Sequence, residues 1–347
     1  MKPRLSALGP NDEPAYEAFL LGIEDSLLYY SARYKSFLQD LLGCEAQYWL
    51  AWDGECVTGV LAIMWRDGPY GRVLNSLPYY GSIGGVLATT TDVGCALTDK
   101  YNQLASEPGV ASATWVCHPM RRPDVLPAHT LVDERTSQFT SLDWRQADVE
   151  SAMLAAIDGS ARRNIRKAET SGVTVRVAND RLDFIRDVHW ENMAEIGGKA
   201  KTADFFEKVP RHFTPGKDYR VYVAERNGTS ISGLLLFYFN RTVEYFTPVT
   251  VSSERESQPM ALILAQAMVD AARAGFLRWN WGGTWLTQDG VWRFKHKWGA
   301  EDQTYHYFIQ LNVPDILSRT KSEILAAYPD FFVVPFGNLT AAEQTNG

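Results

Sequence analysis

Long apolar runs are missing from this sequence. None exceeds six residues, and Leu234–Phe239 is as long as any, far short of the roughly 20 that a helix needs to cross a bilayer. Cysteine is scarce: Cys44, Cys56, Cys95 and Cys117 are the only four, and no two are spaced Cys-x-x-Cys. Together with only six histidines, this excludes the spacings of a zinc site and predicts no metal. Reduced, mostly buried thiols and a cytoplasmic location are expected instead. Positive charge is also short: 34 Lys and Arg against 41 Asp and Glu leave a net charge of −7. A field of that sign argues against DNA as a partner, so any RNA contact must come from a local basic patch. At the start, Lys2 and Arg4 are followed by Asn11-Asp12-Glu13 and not by an apolar segment, so the sequence reads as carrying no signal peptide.

What is present is an ordinary globular balance, 46% hydrophobic and 22% charged over 347 residues, enough chain for two domains. It contains an internal echo. Tyr48–Ala62 and Tyr222–Leu236 each read strand, turn, strand, around Asp53-Gly54 in one copy and Asn227-Gly228 in the other. Such dipeptides signal hairpins, because the turn requires positive φ. A second glycine follows in each, Gly59 and Gly233, and both glycine pairs are offset by the same interval (228 − 54 = 174 and 233 − 59 = 174).

The order around each hairpin also repeats. In the first half, helices opening at Asn11–Pro14 and spanning about Arg33–Leu42 precede the hairpin. A glycine-rich stretch (Gly81–Gly85), a helix near Gly94–Ser106 and a strand near Val110–Cys117 follow it. In the second half, helices over Val149–Ala156, Ser160–Ser171 and Arg181–Glu195 precede the hairpin. A strand Thr242–Thr250, a helix Pro259–Ala274 stopped by Gly275 and a strand Phe276–Trp281 come after it. These readings divide the chain into domains 1–147 and 148–325, with a tail 326–347.

Helices, a strand meander and a closing β-α-β resemble the acetyltransferase fold. Several phrases also resemble the Fem-type peptidyltransferases: Leu77–Gly85, Ser160–Ala168 with Gly172-Val173, Gly282-Gly283 and Val291–Ala300. The resemblance spans about Tyr30 to Phe308. It implies an α/β chain of two tandem acetyltransferase-like domains, each a mixed central sheet flanked by helices. It also implies an N-acyltransferase that moves an aminoacyl group from aminoacyl-tRNA to an amine of a cell-envelope or peptide-like precursor, with no tightly bound cofactor. A nucleotide-sugar or lipid-linked acceptor fits that class. Two alternatives stay open: an acyl-CoA-dependent N-acyltransferase acting on an amino sugar in polysaccharide biosynthesis, and an inactive module that binds an envelope precursor.

Aminolysis of an activated acyl group needs donors for the developing oxyanion and a route for the amine's proton. The resemblance places a functional lysine in Phe294-Lys295. The residues alone favour a solvated basic face formed by Arg293, Lys295, His296 and Lys297, and the resemblance is what sets a functional role beside it. Glu244, on the strand after the second hairpin, and Glu191 are candidate bases. Arg162, Arg163, Arg166 and Lys167 form a basic stripe at i, i+4 spacing, suited to phosphates or to solvent. Tyr79, Tyr80, Gly81 and Ser82, with Gly282 and Gly283, permit close approach to a ligand or simply turn the chain. Arg255–Met260 aligns with the loop that binds coenzyme A in acetyltransferases. Arg255 is in place, but Gln258 replaces a glycine and Pro259 removes an N–H donor.

Overall fold

The computed structural model describes residues 3–79, 81–144, 148–284 and 289–341. The chain folds as two compact units, residues 1–135 with 304–347 and residues 136–303.

In the first unit, β1 (Arg4–Ala7) leads to α1 (Glu13–Gly22) and α2 (Ala32–Leu42). Strands β2 (Glu45–Asp53), β3 (Cys56–Gly68), β4 (Gly71–Asn75) and β5 (Val86–Ala88) follow, then α3 (Thr91–Ala105) and β6 (Val110–Val116). Ser31 caps α2 through its side chain, and Gly43 ends it at φ 58°, the left-handed conformation that glycine adopts without steric cost. β1 through β4 form an antiparallel meander, and β4 then runs parallel to β6.

β7 (Leu131–Ser141) carries the chain into the second unit, which contains α4 (Val149–Ala156), α5 (Gly159–Thr170), β8 (Thr174–Val177), α6 (Leu182–Glu195) and α7 (Ala203–His212). Next come β9 (Tyr219–Arg226), β10 (Thr229–Phe239), β11 (Thr242–Thr250), α8 (Pro259–Arg273), β12 (Arg278–Thr284) and α9 (Asp289–His296). The pattern is that of the first unit: β8 to β11 are antiparallel, and β11 runs parallel to β12. α8 lies on one face, over Leu234, Leu236, Val243, Trp279 and Trp281, while α6 packs against β10 and β11. β13 (Glu301–Leu311) and α10 (Lys321–Ala327) then complete the first unit. Each unit is thus a mixed sheet flanked by helices, in tandem.

The linear division at 147/148 with a tail from 326 differs from this partition. β7, which a boundary at 147/148 would leave in the first domain, instead pairs, over Thr136–Ser141, with β12. β13 returns to pair with β6. Each sheet is therefore completed by a strand from the far half of the chain, an exchange that has no signature in local sequence. The described residues of the tail are packed. Tyr328, Phe331, Val333 and Val334 are buried, and Asn75 exchanges two 2.8 Å hydrogen bonds with the backbone of Phe332.

Both repeated glycines are required by close packing, but against different helices. A Cβ on Gly59 would stand 2.6 Å from Val93 of α3, and one on Gly233 would stand 2.5 Å from Ile185 of α6. The offset of 174 marks the repeat, while different bulges, near Trp52 and near Ile231, shift the facing of the two hairpins.

Candidate functional site

β11 and β12 are paired over only three residues: Thr242 with Arg278, Val243 with Trp279, and Glu244 with Asn280. Beyond that point they part, and β12 pairs on its other edge with β7 across a bulge between Asn280 and Gly283. Val243 and Tyr245 face the α8 core, so strand alternation turns Glu244 to the opposite face. There Asn280 Nδ2 donates to Glu244 Oε2 at 2.7 Å, while Asn280 Oδ1 accepts from Gly282 N at 2.8 Å. Both side chains are buried. Gly282 takes φ 72°, and nothing lies within 4 Å of where a Cβ would stand. The sequence required flexibility here, and the structure supplies a backbone turn open on that side.

Lys295 lies under this turn. α9 points it inward, and its side chain is 4% exposed. Nζ donates to Gly282 O at 3.2 Å, Gly283 O at 3.3 Å and Thr284 Oγ1 at 2.7 Å. An ammonium has three N–H donors, so each has a protein acceptor, two of them at the long end of the range. Burial lowers its pKa to about 8, against the opposing attraction of Asp302. The basic cluster expected as a solvated face is therefore divided: Arg293 is exposed, whereas Lys295 belongs to the interior. Phe294 is partly buried and packs edge-on to Trp281.

A second lysine, singled out by no sequence motif, lies on the α6–α7 side. Lys201, between those helices, holds Nζ 5.3 Å from the ring centre of Phe246 and 5.8 Å from that of Phe205. The two rings stack with an interplanar angle of 3°. Burial brings its pKa down to about 8. Its backbone N–H donates to His189 Nε2 at 3.0 Å, which requires a neutral imidazole. Burial, with Lys201 adding to it, lowers the pKa of His189 to about 4. The unfolded chain therefore binds a proton that the folded one refuses between about pH 6.5 and 4, and stability falls across that window on acidification. In urea titrations at successive pH values, His189→Gln is expected to flatten that acid limb. An unchanged limb would assign it to other groups.

The other expected residues are dispersed. Glu191 is exposed on α6. Arg162 is a structural cap, donating to Leu154 O and Ile157 O at 2.7 and 2.8 Å where α4 ends. Arg163, Arg166 and Lys167 remain exposed on α5, which packs on α8, and Lys167 stands 3.6 Å from Glu256. At the start of α8, Arg255 pairs with Glu195 at 2.5 Å, a carboxylate that also accepts from Ser252. Gln258 adopts φ 57° and turns its amide back to Arg255 O. A cavity of about 320 Å³ opens there, bordered by Asn192, Thr250, Arg255 and Met260.

In the first unit, Ser82 is buried against the Tyr34 hydroxyl at 2.7 Å, and the Tyr30 hydroxyl donates to Gly84 O. A Cβ on Gly84 would meet Ser76 at 2.8 Å. These glycines thus serve packing. Gly81, at φ 70°, faces open space, and Tyr79, at φ 78°, bonds through its N–H to Asp330 O. Tyr80 lies outside the described residues. No group of three or more His, Cys, Asp or Glu suited to a metal occurs among the described residues, and no described helix is long and apolar enough to cross a membrane.

Residues 158–296, spanning α5 to α9, match the acetyltransferase (GNAT) domain family. No curated protein matches the sequence. Among solved structures, FemX superposes with a TM-score of 0.70 at 13% identity, over 88% of this chain and 97% of that one. The C-terminal domain of a putative lysylphosphatidylglycerol synthetase from Agrobacterium fabrum gives 0.56 at 10% identity, over 93% and 98%. L-PGS from Bacillus licheniformis gives 0.54 at 11% identity, over 93% and 96%. Over residues 158–296 the chain thus resembles the acetyltransferase (GNAT) domain family, within the fold that FemX also has.

Proposed function

We propose that this acyltransferase moves an aminoacyl group from aminoacyl-tRNA to an amine of a cell-envelope or peptide-like precursor. The observation that carries the reading is the fork between β11 and β12, with the Glu244 carboxylate at its apex and the Lys295 ammonium beneath Gly282-Gly283. In the proposed reaction the acceptor amine attacks the ester carbonyl, and its proton passes to Glu244. The oxyanion forms within the field of Lys295. As it collapses, the bond to the terminal ribose oxygen of the tRNA breaks, and Glu244 gives that oxygen the proton it took from the amine, so that it leaves as a hydroxyl. Lys201, over Phe205 and Phe246 on the same face as Glu244, suits an anionic group of the acceptor.

The start of α8 supports this choice of donor. A helix N-terminus holds a diphosphate through free N–H groups, but here Pro259 lacks one and the Glu195 carboxylate already occupies Arg255. The exposed arginines of α5 beside α8 suit an RNA backbone instead. Filter binding at fixed salt with charged and uncharged tRNA, alongside thermal shift with acetyl-CoA, tests this reading. Preference for charged tRNA is the expected result. Saturable acetyl-CoA protection would replace it with an acyl-CoA-dependent enzyme acting on an amino sugar, and binding of an envelope precursor without turnover would leave only a binding module. Arg163→Gln with Lys167→Gln is expected to reduce the log–log salt slope of tRNA binding by up to about 1.4–1.8, from two lost phosphate contacts. An unchanged slope would return both residues to plain surface.

A further inference from the structure

One hydrogen-bond chain in the second unit is used neither by the proposed proton transfer nor by the hydrophobic core. Thr284 Oγ1, which accepts from Lys295, itself donates to Gln138 Oε1 at 2.7 Å. Gln138 Nε2 donates to Asp302 Oδ1 at 3.0 Å. Asp302 also accepts from Trp292 Nε1 at 3.0 Å and meets His296 Nε2 at 3.1 Å. Gln138 is fully buried and Thr284 nearly so, whereas Asp302 lies at the rim. The four residues come from four elements: β7, β12, α9 and β13.

Every bond in this chain has its direction fixed from the rim inward. An ionised carboxylate only accepts. Against the effect of partial burial, the hydrogen bonds from Trp292, His296 and Gln138 hold Asp302 below the usual carboxylate range, so it is ionised at neutral pH. The Gln138 amide must therefore turn its NH2 towards Asp302, which leaves Oε1 towards Thr284. The threonine hydroxyl then spends its single proton on Gln138 and presents a lone pair to Lys295. Reversing the chain would set the Gln138 amide oxygen against the Asp302 carboxylate at the rim and the Thr284 hydroxyl proton against the buried Lys295 ammonium, the latter costing about 1–3 kcal/mol.

We infer that Gln138 and Asp302 are positioning residues for Lys295, acting through Thr284 to hold its ammonium against the carbonyls of Gly282 and Gly283. The inference rests on the catalytic part proposed above for Lys295, but its geometry can be tested without any substrate. Without the chain, the Thr284 hydroxyl is free to rotate, and the shortest of the three bonds to Nζ loses its fixed acceptor.

The test is NMR of the full chain labelled with ¹⁵N-lysine, the Lys295 ammonium resonance being assigned by its loss in Lys295→Arg. A triply bonded buried ammonium exchanges its protons slowly. Gln138→Leu and Thr284→Val are expected to speed that exchange about tenfold or more, since one lost hydrogen bond to a charged group is worth a factor of this order. Thr284→Ser, which keeps the hydroxyl, is expected to leave it as in the wild type. The same exchange rate in wild type and in a folded Gln138→Leu, judged by circular dichroism, would overturn the inference. So would loss of the signal in Thr284→Ser. In a transfer assay with charged tRNA, Gln138→Leu is expected to lower kcat about tenfold with KM within about twofold, less than the hundredfold or more for a group touching the oxyanion. Equal kcat in Gln138→Leu and wild type would also overturn it. Absence of transfer by the wild type would count against the proposed function alone, because the exchange measurement would stand.

Discussion

Lys295→Met is expected to lower kcat by about a hundred- to a thousandfold, some 2.7–4 kcal/mol of transition-state stabilisation, while the domain still folds. Methionine fills the volume of the stem, so the core around Trp281 and Phe294 is kept, and the loss is confined to the ammonium and its three acceptors. Lys295→Arg tests the charge separately. With a pKa of about 8, the wild-type ammonium is lost as pH rises through that value, so kcat should show a falling alkaline limb there. Arginine stays protonated, and the variant should lack that limb even if its bulk slows turnover at every pH. Stability should move in the opposite sense. Between about pH 8 and its ordinary 10.5, the unfolded chain binds a proton that the folded chain has released. Wild type should therefore gain stability relative to Lys295→Met across that window. A kcat for Lys295→Met within about threefold of wild type would remove Lys295 from the transition state altogether. Lys201 titrates in the same range, so the two limbs must be separated by parameter. A lysine that holds the acceptor acts on kcat/KM, and Lys201→Met is expected to raise KM for the acceptor while leaving kcat nearly unchanged.

Local signals carried much of the fold. Gly43 and Gly275, both at positive φ, stop helices where sequence placed the stops, and the two hairpins turn at Asp53-Gly54 and Asn227-Gly228, which flank the strand ends. Helices α4, α5 and α6 lie within two residues of the expected bounds. The partition into units was illegible, because β7 and β13 are assigned to their sheets by pairing with strands more than 130 residues away. α7 was missed: Pro210 lies inside it, and its apolar face, Phe205, Phe206 and Val209, spans barely one turn. At the site, the sequence offers Glu244 and Lys295 as candidates but not their juxtaposition. The bulge between Asn280 and Gly283 brings them to either side of one glycine turn. Lys201 had no motif at all, since its surroundings are rings from Phe205 and Phe246, which are 41 residues apart in the chain. Arg162 shows the reverse error, because a basic stripe at helical spacing does not reveal that one member is spent on the carbonyls that end α4.

Glu244→Gln is the other substitution expected to have a large effect, about a hundred- to ten-thousandfold in kcat if the carboxylate takes the amine's proton as the new N–C bond forms. Glutamine keeps the shape and can still accept from Asn280 Nδ2 through its carbonyl oxygen, so the apex of the fork should stay intact. KM for the acceptor should hardly change. The pH dependence then identifies when the proton leaves. If Glu244 only deprotonates the bound ammonium before attack, Glu244→Gln should recover as pH passes the pKa of the acceptor, where solvent has already supplied the free amine. A weakly basic acceptor should show the recovery at lower pH. If the carboxylate acts within the transition state, the loss should persist at every pH, since the nitrogen becomes strongly acidic only as its bond to carbon forms. The second outcome is expected, because Glu244 is buried and bonded to Asn280, placed to collect a proton generated inside the fork. Wild-type kcat in Glu244→Gln across the whole pH range would leave the leaving hydroxyl as the proton's destination, and the carboxylate as a structural partner of Asn280.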